Sequence, residues 1–385
     1  MGVDKSAQLR RRLVGDLDRR GFVRSRAVRD AFLVVPRERF VPEFAARERV
    51  EAVYRDDAIP TKFRRDGFPI SSSSQPAIMA EMLERLELAP GLRVLEVGTG
   101  TGYNAALLAQ LVGPTGSVTS VDVDAEVARG ARRALREGSH RVRVVVADGR
   151  DGWTARAPYD RIVVTASAEE IPEAWAEQLV EGGLLELPLC FDGGENQFVA
   201  TFQKERRRLV SVALVPGGFM PLRSADDPDA PAAPPALVAS DRQAGTDRPI
   251  RQLVGSCLAT LSKPAKQRLL RVALEDGRSK PLGLRANRAA LWLYLQLTLP
   301  PSRRVLLLPE PALGVIGRDG RSLACIEHSG RRLLSRLRAH GRLEAENHLL
   351  AAVARWRDGG RPGAEKLQLV VDHARRGSRP RLRLP

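Results

Sequence analysis

At 385 residues and 42.2 kDa the chain exceeds one ordinary domain, and its 43% apolar share is enough to fill soluble cores, which excludes general disorder. The net charge of +16 is unevenly placed: residues 1–240 hold 33 Lys or Arg against 34 Asp or Glu, whereas residues 241–385 hold 29 against 12. No apolar run of about 18 residues and no secretory core stand out, so a cytoplasmic protein without a membrane partner is expected.

The basic excess of the C-terminal part can steer an acidic partner or simply clothe a solvated surface. Cys190, Cys257 and Cys325 lie too far apart to suggest a disulfide framework. Cys325-x-x-His328 has half the form of a metal site but lacks partners at short spacing, so no metal is expected.

Along the chain, a helix is predicted from near Ser25, with Ala27, Val28, Ala31 and Phe32 on one side, before Pro36 and Pro42 interrupt it. From Val53 to Ser74 the pattern is irregular and ends in Ser71-Ser72-Ser73-Ser74, read as a loop entering a helix at Pro76. Strands and helices then alternate. Leu92–Val97, Ser117–Val121, Arg141–Val146 and Arg161–Thr165 read as strands, with Ala105–Leu111 and Val127–Leu135 as helices. This rhythm predicts a doubly wound, mostly parallel α/β sheet. Leu184–Leu189, Gln197–Gln203 and Leu209–Leu214 read as further strands, with a possible antiparallel edge. After an Ala, Pro and Asp-rich stretch at 224–249, Leu291–Leu299 reads as a buried strand or short helix and Arg332–Trp356 as a longer helix.

The strongest chemical signal is Val94-Leu95-Glu96-Val97-Gly98-Thr99-Gly100-Thr101-Gly102-Tyr103, a strand feeding a glycine turn that opens a helix. Its Gly-x-Gly-x-Gly spacing departs from the Gly-x-Gly-x-x-Gly of dinucleotide folds, which argues against a nicotinamide cofactor. Asp122 ends the next strand, where a carboxylate can accept from ribose hydroxyls, and Asp148-Gly149 ends the third, where it suits a purine amino group. Bound ligands occupy the crevice beyond such strand ends.

Together with Val35-Pro36-Arg37-Glu38-Arg39-Phe40-Val41-Pro42, Tyr159-Asp160-Arg161-Ile162-Val163-Val164-Thr165-Ala166, Gln178-Leu179-Val180-Glu181-Gly182-Gly183 and Phe219-Met220-Pro221-Leu222, these motifs resemble the protein-L-isoaspartate O-methyltransferase family over roughly residues 5–223. The resemblance implies S-adenosylmethionine as cofactor and S-adenosylhomocysteine as product. It places Glu96, Gly98, Thr99, Gly100 and Gly102 near the amino acid portion, Asp122 near ribose, and Asp148 and Gly149 near adenine, with Thr165 also on the cofactor side. In Ser72-Ser73-Ser74-Gln75-Pro76, Ser74 matches the family's acceptor serine, and Ser72 stands where the family has threonine. The implied roles are positioning of the substrate carboxylate by Ser74 and loop support by Ser72, with no nucleophilic serine.

The expected organisation is an N-terminal helical cap with a substrate loop (1–75), a methyltransferase domain (76–223), a linker (224–249) and a basic mixed α/β accessory domain (250–385). The Lys62–Ile70 approach and the added C-terminal third resemble the branch that tailors ribosomally made cyclised peptides through an aspartyl ester and an aspartimide. That branch implies an acidic cyclised precursor as partner, with general isoaspartyl repair as the alternative. A nucleic-acid partner is not expected, since the tail lacks zinc spacing and an RNP-like run. The strand end Val164-Thr165-Ala166-Ser167 also lacks the Asn-Pro-Pro-Tyr signature of base methylation.

Overall fold

The computed structural model describes residues 5–65, 67–190, 197–225, 239–242, 249–275, 277–282, 288–300, 302–308, 312–318, 320–329, 334–363, 366–372 and 381–383. The chain opens with helices α1 (Lys5–Arg19), α2 (Arg26–Val34), α3 (Pro42–Arg47) and α4 (Val50–Val53). The Ser25 hydroxyl accepts the Val28 N–H and caps α2, which buries Val28, Ala31 and Phe32 as its spacing predicts.

The stretch expected to be irregular is a hairpin. Strands β1 (Ile59–Phe63) and β2 (Pro69–Ser73) pair antiparallel, with Ile59 opposite Ser73 and Pro60 opposite Ser72. Clustered serines favour turns and loops because their hydroxyls bond locally to the backbone, which is why the polar run reads as a loop. Here alternate serines are tucked in: Ser71 and Ser73 are 6% and 2% exposed, while Ser72 and Ser74 are partly open.

The alternating region follows as α5 (Pro76–Arg85), β3 (Arg93–Val97), α6 (Tyr103–Val112), β4 (Ser117–Asp122), α7 (Ala125–Glu137), β5 (Val142–Val146), β6 (Tyr159–Val164), α8 (Glu173–Gln178), β7 (Leu179–Cys190), β8 (Gln197–Glu205) and β9 (Arg208–Pro216). Strands β5, β4, β3, β6 and β7 lie side by side in parallel, and β8 and β9 extend the sheet antiparallel. From β3 the chain winds outward through β4 to β5, then crosses back to β6 on the other side of β3. The carboxyl ends of β3 and β6 therefore flank the point where winding reverses, the usual place for a ligand crevice.

The accessory unit contains β10 (Ala239–Arg242), β11 (Pro249–Val254), α9 (Lys263–Leu274), β12 (Arg278–Pro281), α10 (Arg288–Thr298), β13 (Arg304–Leu308), β14 (Ala312–Ile316), β15 (Ser322–Ser329), β16 (Leu334–Gly341) and α11 (Leu343–Asp358), followed by β17 (Gln368–Asp372) and β18 (Arg381–Arg383). Its antiparallel sheet runs β10-β11-β13-β14-β15-β16-β12. The helix expected over 332–356 is instead the strand β16 and the helix α11. They are divided at Gly341, where φ is +70° and a Cβ would come within 2.1 Å of the Arg321 carbonyl oxygen. In β16, Leu337 and Ala339 alternate with Arg336 and Arg338, a period of two that a helical reading misses.

Two boundaries also shift. Strand β10 and the first residue of β11 lie inside the stretch expected to be a linker. Strand β17 leaves the accessory sheet and pairs with β9, Val370 opposite Val210, and the Leu369 N–H donates to the Ser211 hydroxyl at 2.7 Å. Helices α10 and α11 contribute Leu291, Tyr294, Leu349 and Trp356 to one continuous core. That core includes Leu185, Leu187, Phe202 and Leu209 of the sheet that carries β3–β9 and Leu313, Ile326 and Leu337 of the accessory sheet. Cys257 and Cys325 are buried in a smaller core on the accessory sheet, while the His328 side chain lies outside the described residues. Among the described residues, no helix is long and apolar enough to cross a membrane.

Candidate active site

The carboxyl ends of β3, β4 and β6, the hairpin β1–β2 and the segment 216–223 enclose a cavity of about 1050 Å³. This is at the upper end of the roughly 300–1,000 Å³ usual for small-ligand sites, which leaves space for a second reactant beside a cofactor. Gly98, Thr99, Gly100, Asp122, Gly149 and Thr165 line one end, and Ser72 and Ser74 face the same space.

The glycine turn is built for close approach. Gly98 has φ +97°, and a Cβ there would come within 2.4 Å of the Thr165 hydroxyl, which donates to the Gly98 carbonyl at 2.6 Å. Gly100, at φ +52°, presses against the other wall, since its Cβ would stand 3.2 Å from the Ser72 carbonyl oxygen. The turn thus fills the gap between the end of β6 and the Ser72 end of the hairpin, with bare backbone towards the cavity. It opens α6, whose first N–H groups favour an anionic group. Gly149 is needed for a different reason: a Cβ would strike Val97 Cγ1 at 2.4 Å, so the third strand end seats against the first only without a side chain.

The carboxylates divide into wall and foundation. Asp122 lines the cavity and accepts the Gly100 and Asp124 N–H groups, both at 3.0 Å; burial pushes its pKa up, against these bonds. Glu96, Gly102 and Asp148 are not on the cavity wall. Glu96 is fully buried behind the turn, where Asn104 Nδ2 donates to it at 2.8 Å and the Ser120 hydroxyl at 2.5 Å. Asp148 is clasped by Arg150 at 2.6 Å and accepts the Ala225 N–H at 3.1 Å, and the Arg150 bond pulls its carboxyl down to about 2. In this arrangement Glu96 and Asp148 brace the loops that reach the cavity.

Burial holds the Glu96 carboxyl up at about 7, against an ordinary 4.5. The folded chain therefore keeps a proton that the unfolded chain releases, and stability falls as pH rises from 4.5 through 7. The loss above that window is about 3 kcal/mol at about 1.4 kcal/mol per pKa unit. Glu96→Gln, without cofactor, is expected to melt above the wild-type protein at pH 8 and to lose that advantage towards pH 4.5. Parallel melting-temperature curves across this range would contradict the assignment.

Three side chains tie the segments around the cavity together, and their distant partners carry no local signal. The Asp124 carboxylate caps α7 and also receives Lys62 Nζ from the hairpin at 2.8 Å and Arg223 from the closing segment at 3.5 Å. Gln197 holds Phe219 by two bonds, accepting its N–H at 2.6 Å and donating to its carbonyl at 3.0 Å. Arg37 is wholly buried and donates into the loops on both sides of the hairpin. Arg37 stands within a motif of the family resemblance, but nothing local announces an inward guanidinium.

A profile of the family Protein-L-isoaspartate(D-aspartate) O-methyltransferase matches residues 8–226. The chain belongs to this family. The protein-L-isoaspartate O-methyltransferase of Ignicoccus hospitalis is 38% identical over 214 residues, 55% of this chain and 96% of the relative. That of Hyperthermus butylicus is 40% identical over 224 residues, 56% of this chain and 88% of the relative. A solved structure described as protein-L-isoaspartate O-methyltransferase superposes with a TM-score of 0.56 at 26% identity, covering 97% of this chain and 99% of that one. The chain is thus an S-adenosylmethionine-dependent (iso)aspartate O-methyltransferase on a Rossmann-like sheet, joined to a second mixed α/β domain. The cofactor suits the cavity, because bare glycine backbone and the Asp122 carboxylate are what a nucleoside bearing an amino acid tail requires.

Proposed function

We propose that the enzyme methylates the carboxylate of isoaspartyl residues in peptides or proteins, as a general repair methyltransferase. The observation that carries this reading is the whole-length likeness to a solved structure described as protein-L-isoaspartate O-methyltransferase, which spans the accessory domain as well. A C-terminal third like this one thus occurs in that structure too, which supports the repair reading over the tailoring expectation built on it.

Bound S-adenosylmethionine supplies an electrophilic methyl group. The acceptor carboxylate is already ionised near neutrality, its pKa being about 4, so the chain need only align it and exclude water. Gly98, Gly100 and Asp122 hold the cofactor side, and the Ser74 hydroxyl donates to the acceptor carboxylate with Ser72 supporting the loop. The ester carries a better leaving group than the acid; attack by the following backbone nitrogen expels methanol and leaves a succinimide.

Peptide tailoring remains the second reading, favoured by the hairpin mouth. Phe63 and Phe68 are 56% and 44% exposed there, beside Arg64 and Arg65, a surface suited to an acidic peptide. Intact-mass analysis with a simple isoaspartyl peptide and with a cyclised peptide bearing one ordinary aspartate separates the two. Gain of one methylene in the isoaspartyl peptide, followed by loss of methanol, is the expected result. Modification of the cyclised peptide alone would establish tailoring.

A further inference from the structure

Arg37 lies between α2 and α3, is 0% exposed, and directs its guanidinium under the hairpin. One terminal nitrogen donates to the carbonyls of Val53 at 2.9 Å and Arg55 at 3.1 Å. The other donates to those of Asp57 at 2.9 Å, Ser73 at 3.3 Å and Ser74 at 3.0 Å, and Nε reaches the Ser73 hydroxyl at 3.3 Å. The two segments so joined enter and leave the hairpin, and one side chain fixes both its ends.

Each of these partners is a neutral oxygen. A buried guanidinium costs several kcal/mol unless its donors are all used, and apolar packing would close a loop more cheaply. Two consequences favour an anionic acceptor. The Ser73 and Ser74 carbonyls, which would repel a carboxylate, are turned onto the cation. The positive charge also has no directly bonded carboxylate among the described residues; Asp56 and Asp57 act on it only through space. The loop it fixes is the one whose Ser72 carbonyl lies against Gly100, so any drift of the loop alters the separation between acceptor and cofactor.

We infer that Arg37 is a positioning residue for methyl transfer, setting the Ser73–Ser74 turn, and with it the acceptor carboxylate, against the cofactor turn. The test uses full-length Arg37→Lys and Arg37→Ala with whichever of the two peptides the unaltered enzyme methylates, and S-adenosylhomocysteine affinity by calorimetry. Misplacement of about 1 Å can cost about 100-fold, so kcat/KM for the peptide should fall about 100-fold in Arg37→Ala, with the S-adenosylhomocysteine Kd within about twofold. Millimolar guanidinium should restore part of the loss where ammonium does not. Combined with Ser74→Ala, the double variant should be little slower than the slower single, because both act at one turn. If Arg37→Ala does not fold, Arg37→Lys carries the test, with about a 10-fold fall expected for a lost charge-assisted bond. Wild-type turnover in Arg37→Lys, or fully additive losses with Ser74→Ala, would overturn the inference.

Discussion

Gly98→Ala is expected to abolish useful binding of S-adenosylmethionine while leaving a folded chain. At φ +97° an L side chain is already strained, by about 1–2 kcal/mol. The added methyl must also displace the Thr165 hydroxyl from 2.4 Å, breaking its 2.6 Å bond to the Gly98 carbonyl at the end of β3. Both effects fall on the backbone that meets the ligand, so calorimetry should show affinity weakened by at least about 100-fold, or about 2.7 kcal/mol. Gly130 supplies the contrast. It lies within α7 and a Cβ there would meet nothing within 4 Å, so Gly130→Ala should raise stability by about 0.5–1 kcal/mol without touching affinity. Wild-type affinity in Gly98→Ala would remove the turn from the cofactor site.

The features legible in the sequence were those encoded over short stretches. The run Val94–Val97 followed by glycines announces a buried strand and its turn, and the Ser25 cap announces α2, because both rest on neighbours a few residues apart. The periods of β4, α7 and β5 are equally local, and their observed bounds lie within two residues of the expected ones.

What escaped was decided at a distance. The Ser71–Ser73 strand exists because β1 pairs with it and because Arg37, 36 residues before Ser73, takes up its polar groups. Glu96 reads as a ligand beside a glycine turn, yet Ser120 and Asn104 engage it from behind. Neither partner is implied by the motif. The division of 332–356 turns on a left-handed Gly341 pressed against Arg321, a contact between two strands rather than a property of either. Strand β17 meets β9 across 158 residues of chain, and Leu369-Val370-Val371 carries no mark of which sheet it joins.

That last pairing governs what removal of the basic region would do. Deleting residues 241–385 is expected to destroy cooperative folding of the remainder rather than release a minimal enzyme. Leu185, Leu187, Phe202 and Leu209 are each 0% exposed and share their core with α10, α11 and β17. Full burial of one such side chain is worth about 1.5–3 kcal/mol, so baring even two or three of them removes a large share of the stability of an ordinary domain, about 5–15 kcal/mol. The Ser211 hydroxyl, 2% exposed, would also lose its bond from Leu369, and β9 would become an open edge ready to pair with other chains. The expected record is a broad, low-temperature thermal transition, dye binding to exposed apolar surface, and loss of S-adenosylhomocysteine affinity although no residue of the cavity wall has been removed. A truncated chain that melts sharply and keeps that affinity would show that the shared core is dispensable. If it is not, any contribution of the basic domain to substrate capture must be measured by charge substitutions on the intact chain, because truncation would confound loss of charge with loss of the fold.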